Sequence, residues 1–249
     1  MKKYLLALML LCAFSFSFAQ PYATVKEGYV TGKQVKEFPS SPNRTIPPGT
    51  LLFSNPFACP PVNGLRSETN LTNSEVADDF ILNSNWSVSI VRWWFFMLDN
   101  PATTNWIIRI YNNSDCLPSS LVSTWNIAAA DVNYEFVCSE FGNSIYDCWA
   151  NLTPPFSAVS GQHYWISIQA VGITEFWSTS TNLFTCIGAF KSAFFGFPNF
   201  GPDTGELGGI PSDFAFELYG SRVPLSNWAI ILGVILIGTF VFIRYRRMS

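Results

Sequence analysis

Between Leu51 and Tyr219 no stretch combines the length and the 3.6-residue period of a globular helix, and this most restricts what the chain can fold into. Short apolar runs recur instead: Val76–Leu82, Val88–Leu98, Trp106–Tyr111, Leu121–Ile127, Tyr134–Val137, Tyr146–Leu152, Tyr164–Val171, Phe176–Thr179, Ile187–Phe195 and Phe214–Tyr219. Turn-forming residues separate them, at Asp99-Asn100-Pro101, Asn112 to Pro118, Pro154-Pro155, Ser160-Gly161 and Gly208-Gly209. Many short strands spaced in this way predict an all-β fold, a single β-sandwich or jelly-roll domain over residues 51–222.

Period-two alternation assigns the faces. Trp106, Ile108 and Ile110 form one face of their strand; Tyr164, Ile166 and Ile168, and Phe214, Phe216 and Leu218, do the same on theirs. These three sets are the expected core. Val88–Leu98 is apolar on both faces except at Ser89 and Arg92, which predicts a central strand covered on both sides.

The two ends are different in kind. Lys2 and Lys3 precede an apolar stretch from Tyr4 to Phe14, and Ser17-Phe18-Ala19 places small residues where a signal peptidase cuts. Residues 1–19 therefore read as a signal peptide, followed over 20–50 by a polar, proline-rich linker or loosely docked arm. Residues 223–249 close the chain with a transmembrane segment: Leu225 to Ile243 carries no charge and as a helix would be ~28 Å long, close to the hydrocarbon thickness. Arg244, Arg246 and Arg247 follow it, which by the positive-inside rule puts the β domain outside the cytoplasm, membrane-anchored or at the cell surface.

Only 12% of the residues are charged, against about a quarter in average domains. Residues 20–222 hold nine basic and all 17 acidic groups, a net charge of −8. A body of that sign repels phosphate backbones, which argues against nucleic acid as a partner.

The tail carries a resemblance. Val223, Pro224, Leu225, Ser226 and Trp228, then the apolar span and Arg244, Arg246 and Arg247, resemble the tripartite sorting signals of the exosortase type, the PEP-CTERM group. The nearest branch reads Ile-Pro-Thr-Leu-Ser-x-Trp; here Leu225 follows Pro224 directly, without the Thr. The resemblance implies handling by a sorting transpeptidase or protease at a bacterial envelope, and with it a setting in extracellular polysaccharide. Val76-Ala77-Asp78-Asp79-Phe80, Tyr164 to Ile168 and Asp213 to Gly220 are similar to a β-rich domain of secreted bacterial proteins bearing such tails, one with no activity to carry over.

Five cysteines lie beyond residue 19: Cys59, Cys116, Cys138, Cys148 and Cys186. Export favours disulfides. Cys138 and Cys148 flank a strand-to-strand connection and form the first expected pair, and the odd count leaves one cysteine over. Neither a metal nor a cofactor site is expected, since there is one histidine and no Cys-x-x-Cys. Asp78, Asp79 and Asp213 have the oxygen chemistry for calcium but no ligand-loop pattern.

His163 begins an apolar strand and has no Gly-x-Ser-x-Gly partner, so no catalytic residue is assigned. One binding hypothesis remains. Alternation puts Arg109, Tyr111, Trp165 and Gln169 on an outward face, with Arg92 and Trp94 as further candidates. Flat rings beside hydrogen-bonding groups suit a carbohydrate; loops over that face would make the same rings a second core layer. The expected role is structural or adhesive, with a carbohydrate-binding module or a glycan-active hydrolase as alternatives.

Overall fold

A computed structural model describes residues 47–59, 64–70, 72–97, 101–140, 143–172, 175–180, 185–203, 212–222 and Arg244. The expected signal peptide, the 20–50 arm as far as residue 46, and the sorting residues Val223, Pro224, Leu225, Ser226, Trp228, Arg246 and Arg247 lie outside these. No helix among the described residues is long and apolar enough to cross a membrane.

The described chain is all-β. Its strands are β1 (Thr50–Asn55), β2 (Gly64–Arg66), β3 (Glu75–Ile81), β4 (Trp86–Met97), β5 (Asn105–Ser114), β6 (Leu117–Ile127) and β7 (Asn133–Glu140). They continue with β8 (Asn143–Ala158), β9 (His163–Val171), β10 (Glu175–Ser178), β11 (Ala189–Ser192), β12 (Phe197–Pro202) and β13 (Phe216–Arg222). Two antiparallel sheets result. One runs β12-β11-β3-β9-β5-β6. The other is built on β4, which pairs with β8 along one edge and with β13 and then β10 along the other; β7, β1 and β2 complete it.

The three predicted core faces meet in one apolar cluster between the sheets. Trp106, Ile108 and Ile110 of β5, Tyr164, Ile166 and Ile168 of β9, and Phe214, Phe216 and Leu218 all belong to it. Trp106 of one sheet reaches Trp93 and Phe95 of the other edge-on, with ring centroids 5.3 and 4.7 Å apart. β4 is central, as its two apolar faces require: inward Val91, Trp93 and Phe95 alternate with Trp94 and Phe96, which join a second apolar cluster outside. Gly220 permits the β13–β4 pairing here, because a Cβ would lie 1.9 Å from the Ser87 carbonyl oxygen.

Turn chemistry misleads at two places. Asn112 to Pro118 reads as one loop, yet β5 and β6 run through it and only Asp115 and Cys116 turn, both at positive φ (52° and 58°) as a tight two-residue hairpin needs. Pro154-Pro155 reads as a break, yet both prolines lie inside β8. The β4–β8 register jumps there from Val88↔Phe156 to Ile90↔Asn151, so they sit in a bulge where no ladder N–H is required. The Trp125 indole N–H donates to the Pro154 carbonyl at 2.8 Å and holds the bulge down.

The expected Cys138–Cys148 disulfide is corrected. The bridges are Cys59–Cys138 and Cys116–Cys186, and Cys148 is not in a disulfide. Register is the reason: across the β7–β8 ladder Cys148 faces Tyr134 while Cys138 faces Ile145. Cys148 points into the core, whereas Cys138 packs against the outer cluster with Phe57, next to Cys59 in the chain region before β2.

Asp78 is an acidic residue on an apolar inward face. It lies on the inward face of β3 between Val76 and Phe80 and is fully buried. Its carboxylate accepts hydrogen bonds from the Asn55 amide (3.0 Å) and from the backbone N–H groups of Phe214 (2.7 Å) and Asp79 (2.8 Å). Burial and the neighbouring Asp213 carboxylate nevertheless push its pKa well above the ordinary aspartate value. A raised carboxyl pKa means the folded chain keeps a proton that the unfolded chain has released. Stability from this group is therefore full below the unfolded aspartate pKa, near 3.9, and is lost as pH rises through the folded value. Asp213→Asn removes one cause of the shift, so denaturant midpoints should fall less steeply with rising pH, from about 4 upward, than in the wild type. Equal slopes in the two proteins would exclude Asp213 as a cause.

Candidate functional site

Polar side chains gather on the outer face of the β12-β11-β3-β9-β5-β6 sheet. β3 turns Glu75, Ala77 and Asp79 outward, β9 turns out His163, Trp165, Ser167 and Gln169, and β5 turns out Arg109 and Tyr111. Ladder register sets them side by side: Tyr111 lies opposite Trp165, Trp165 opposite Asp79, and Arg109 opposite Ser167.

At one end Glu75 organises the group. Its carboxylate accepts the Tyr111 hydroxyl at 2.6 Å and faces Lys191 Nζ at 2.8 Å and Arg109 Nη1 at 3.2 Å. Burial would raise the Glu75 pKa, but the two cations and the tyrosine hydroxyl outweigh it and hold the carboxyl below its usual value. Desolvation, then the Glu75 charge, drive the Tyr111 phenol far upward, so it remains a neutral donor. Arg109 also donates to Gln169 Oε1 at 2.9 Å, and Gln169 Nε2 donates to the carbonyls of Ser74 (2.9 Å) and Glu68 (3.1 Å).

The other end holds Asp79, His163 and Cys186. His163 Nε2 lies 2.7 Å from Asp79 Oδ2 and 4.0 Å from Cys186 Sγ, and the Cys186 backbone N–H donates to Asp79 Oδ1 at 3.3 Å. The Asp79 carboxyl is raised by burial, with His163 opposing. The His163 ring stacks on Trp165, centroids 6.2 Å apart and planes within 12°. One imidazole nitrogen serves both Asp79 and the sulfur, whereas a nucleophile–base–orienter triad needs the two partners on different nitrogens. This is not triad geometry.

The four residues proposed as a sugar platform do share one face, and Glu75, which alternation alone did not single out, joins two of them, Arg109 and Tyr111. The rings are not open. Trp165 is 0% exposed, Tyr111 7% and Gln169 2%. Tyr111 and Trp165 pack with Ala77, Cys186 and Ala189 beneath Leu117 and Phe200, forming a small second core layer. The Cys116–Cys186 bridge ties the β5–β6 turn to the segment that covers them. Arg92 and Trp94 belong to the opposite sheet. There Arg92 lies over the Trp94 ring at 4.8 Å and binds Asp147 (Nε to Oδ1, 2.9 Å) and Glu217 (2.9 Å).

Fold and site together define an all-β protein with two antiparallel sheets, its outer aromatic layer closed by a disulfide. Among known proteins no family model, no curated protein and no solved structure matches the chain.

Proposed function

We propose that this chain is an exported structural module of a bacterial envelope or cell surface, held there by its C-terminal segment and acting through contacts rather than catalysis. The observation that carries the reading is the pair of bridges, Cys59–Cys138 and Cys116–Cys186, which join segments 79 and 70 residues apart. Disulfides of this kind form and persist in oxidising compartments outside the cytoplasm. The Lys2-Lys3 leader pattern and the Arg244, Arg246, Arg247 tail give the route and the anchor, with a sorting enzyme and extracellular polysaccharide as the partners. A sugar-binding module would want an open aromatic groove, and a hydrolase would want two carboxylates across a cleft. The buried Trp165 and Tyr111, and an Asp78 enclosed between the sheets, favour neither.

Expression of the full-length chain in a bacterium with an intact secretion pathway, followed by fractionation and mass spectrometry, tests this. The expected product begins at Gln20 and lies outside the cytoplasm. Under denaturing conditions it alkylates at one cysteine, rising to five after reduction. A cytosolic product that retains Lys2 and Lys3 and has six reactive thiols, Cys12 included, refutes the reading.

A further inference from the structure

Cys116 and Cys186 close their bridge against the histidine and a buried carboxylate. The ligand atoms of Asp79, His163 and Cys186 all lie within 4.8 Å of one another. Cys116 Sγ is not one of that trio but is bonded to Cys186 Sγ, so reduction frees a fourth donor beside it. We infer that this is a zinc site closed by oxidation: reducing the Cys116–Cys186 disulfide releases two thiolates that, with His163 Nε2 and Asp79 Oδ2, hold one Zn²⁺.

A tetrahedral zinc site sets the separations these donors must reach. Bonds of about 2.0 Å to nitrogen and oxygen and 2.3 Å to sulfur put neighbouring ligand atoms roughly 3.3–3.8 Å apart. The observed 2.7 Å between His163 and Asp79 must open slightly, and the 4.0 Å between His163 and Cys186 must close slightly. Those two changes are each below about 1 Å; Asp79 and Cys186, within 4.8 Å of one another, must also close, and the two sulfurs must separate to about 3.8 Å once their bond is reduced. Two soft sulfurs, an imidazole and one carboxylate select zinc over calcium or magnesium. Supporting contacts are in place: the Cys186 N–H fixes Asp79 Oδ1, and Trp165 stacks on the imidazole. Asp79 and Cys186 are buried, and the His163 side chain, 16% exposed, marks the way in.

The disulfide form supplies no thiolate, and its sulfurs are poor ligands. A dithiol reductant gives two electrons and two protons to the bridge and leaves as its own disulfide, yielding the Cys116 and Cys186 thiols. Zn²⁺ then displaces both thiol protons to solvent. The imidazole proton moves to Nδ1, which frees Nε2 for the metal. The four-ligand complex carries a net charge of −1.

The full-length chain, purified with its disulfides intact, is titrated with Co²⁺ before and after treatment with a phosphine reductant, and Zn²⁺ is then added in competition. Only the reduced chain should show the near-ultraviolet thiolate-to-cobalt band, saturating at one ion per chain and bleached by Zn²⁺. Cys116→Ser with Cys186→Ser should abolish the band, while Cys59→Ser with Cys138→Ser should keep it. His163→Gln and Asp79→Asn should each weaken Zn²⁺ binding more than about 10-fold, the least expected for losing even a group that only orients a ligand. The inference fails if the reduced wild type gives no band, if the Cys116/Cys186 variant keeps it, or if His163→Gln binds as the wild type does. It fails equally if reduction abolishes the near-ultraviolet circular dichroism of the aromatic core and Zn²⁺ does not restore it.

Discussion

Trp106→Ala is expected to destabilise the protein by about 3–5 kcal/mol, the range for emptying a large aromatic site in a closed core. Trp106 is 1% exposed and is the contact through which β5 meets Trp93 and Phe95 of the opposite sheet. Neither sheet can slide to fill the gap, because β4 and β5 are each paired along both edges. Trp106→Phe should be far milder, about 1–2 kcal/mol, since it keeps a ring at the crossing point. Among the described residues the indole Nε1 it removes is buried with no hydrogen-bond partner, so no hydrogen bond to them is lost. Urea unfolding of the three proteins would show the difference. An alanine variant within 1 kcal/mol of the wild type would mean that this contact is not where the sheets are joined.

Replacing Cys59 and Cys138 with serine should cost ~4 kcal/mol, from the entropy an unfolded chain gains when a closed loop of this length is opened. The bridge spans 79 residues and anchors the segment between β1 and β2 to β7 at the sheet edge. Its loss should lower the thermal midpoint, at roughly 2–4 °C per kcal/mol in a chain of this size. Adding reductant to the wild type should lower it further, because the second bridge opens as well. A serine double variant that melts with the wild type under non-reducing conditions would show that the bridge constrains nothing in the unfolded state.

The outer-face polar cluster gives this account of stability a second part. Glu75, Arg109, Lys191 and Tyr111 would be costly to bury singly; together they satisfy one another and let a second apolar layer sit on the sheet. Their arrangement explains why Trp165 faces away from the main core and is still hidden. Rings next to charged groups on an outward strand face read as a binding surface only while nothing lies over them. Here the segment carrying Cys186, Ala189 and Phe200 does.

How much could be read in advance follows from the range of the forces involved. Alternation is local, so the inward sets on β5, β9 and β13, and the doubly covered β4, were legible one strand at a time. β12 was not, because Phe197-Pro198-Asn199-Phe200-Gly201-Pro202 has the composition of a loop and is a strand only by pairing with β11 at the sheet edge. Gly64–Arg66 is too short to show any period at all.

Residue order alone therefore determined the all-β class and the inward and outward faces of the longer strands, since side-chain period acts over a few residues; where several strands begin and end was settled by pairing. Tertiary structure alone decided which cysteines meet, which outward rings are covered, and that Asp79, His163 and Cys186 share one corner. Those outcomes depend on ladder register and on which sheet a strand joins, and no local pattern along the chain encodes either.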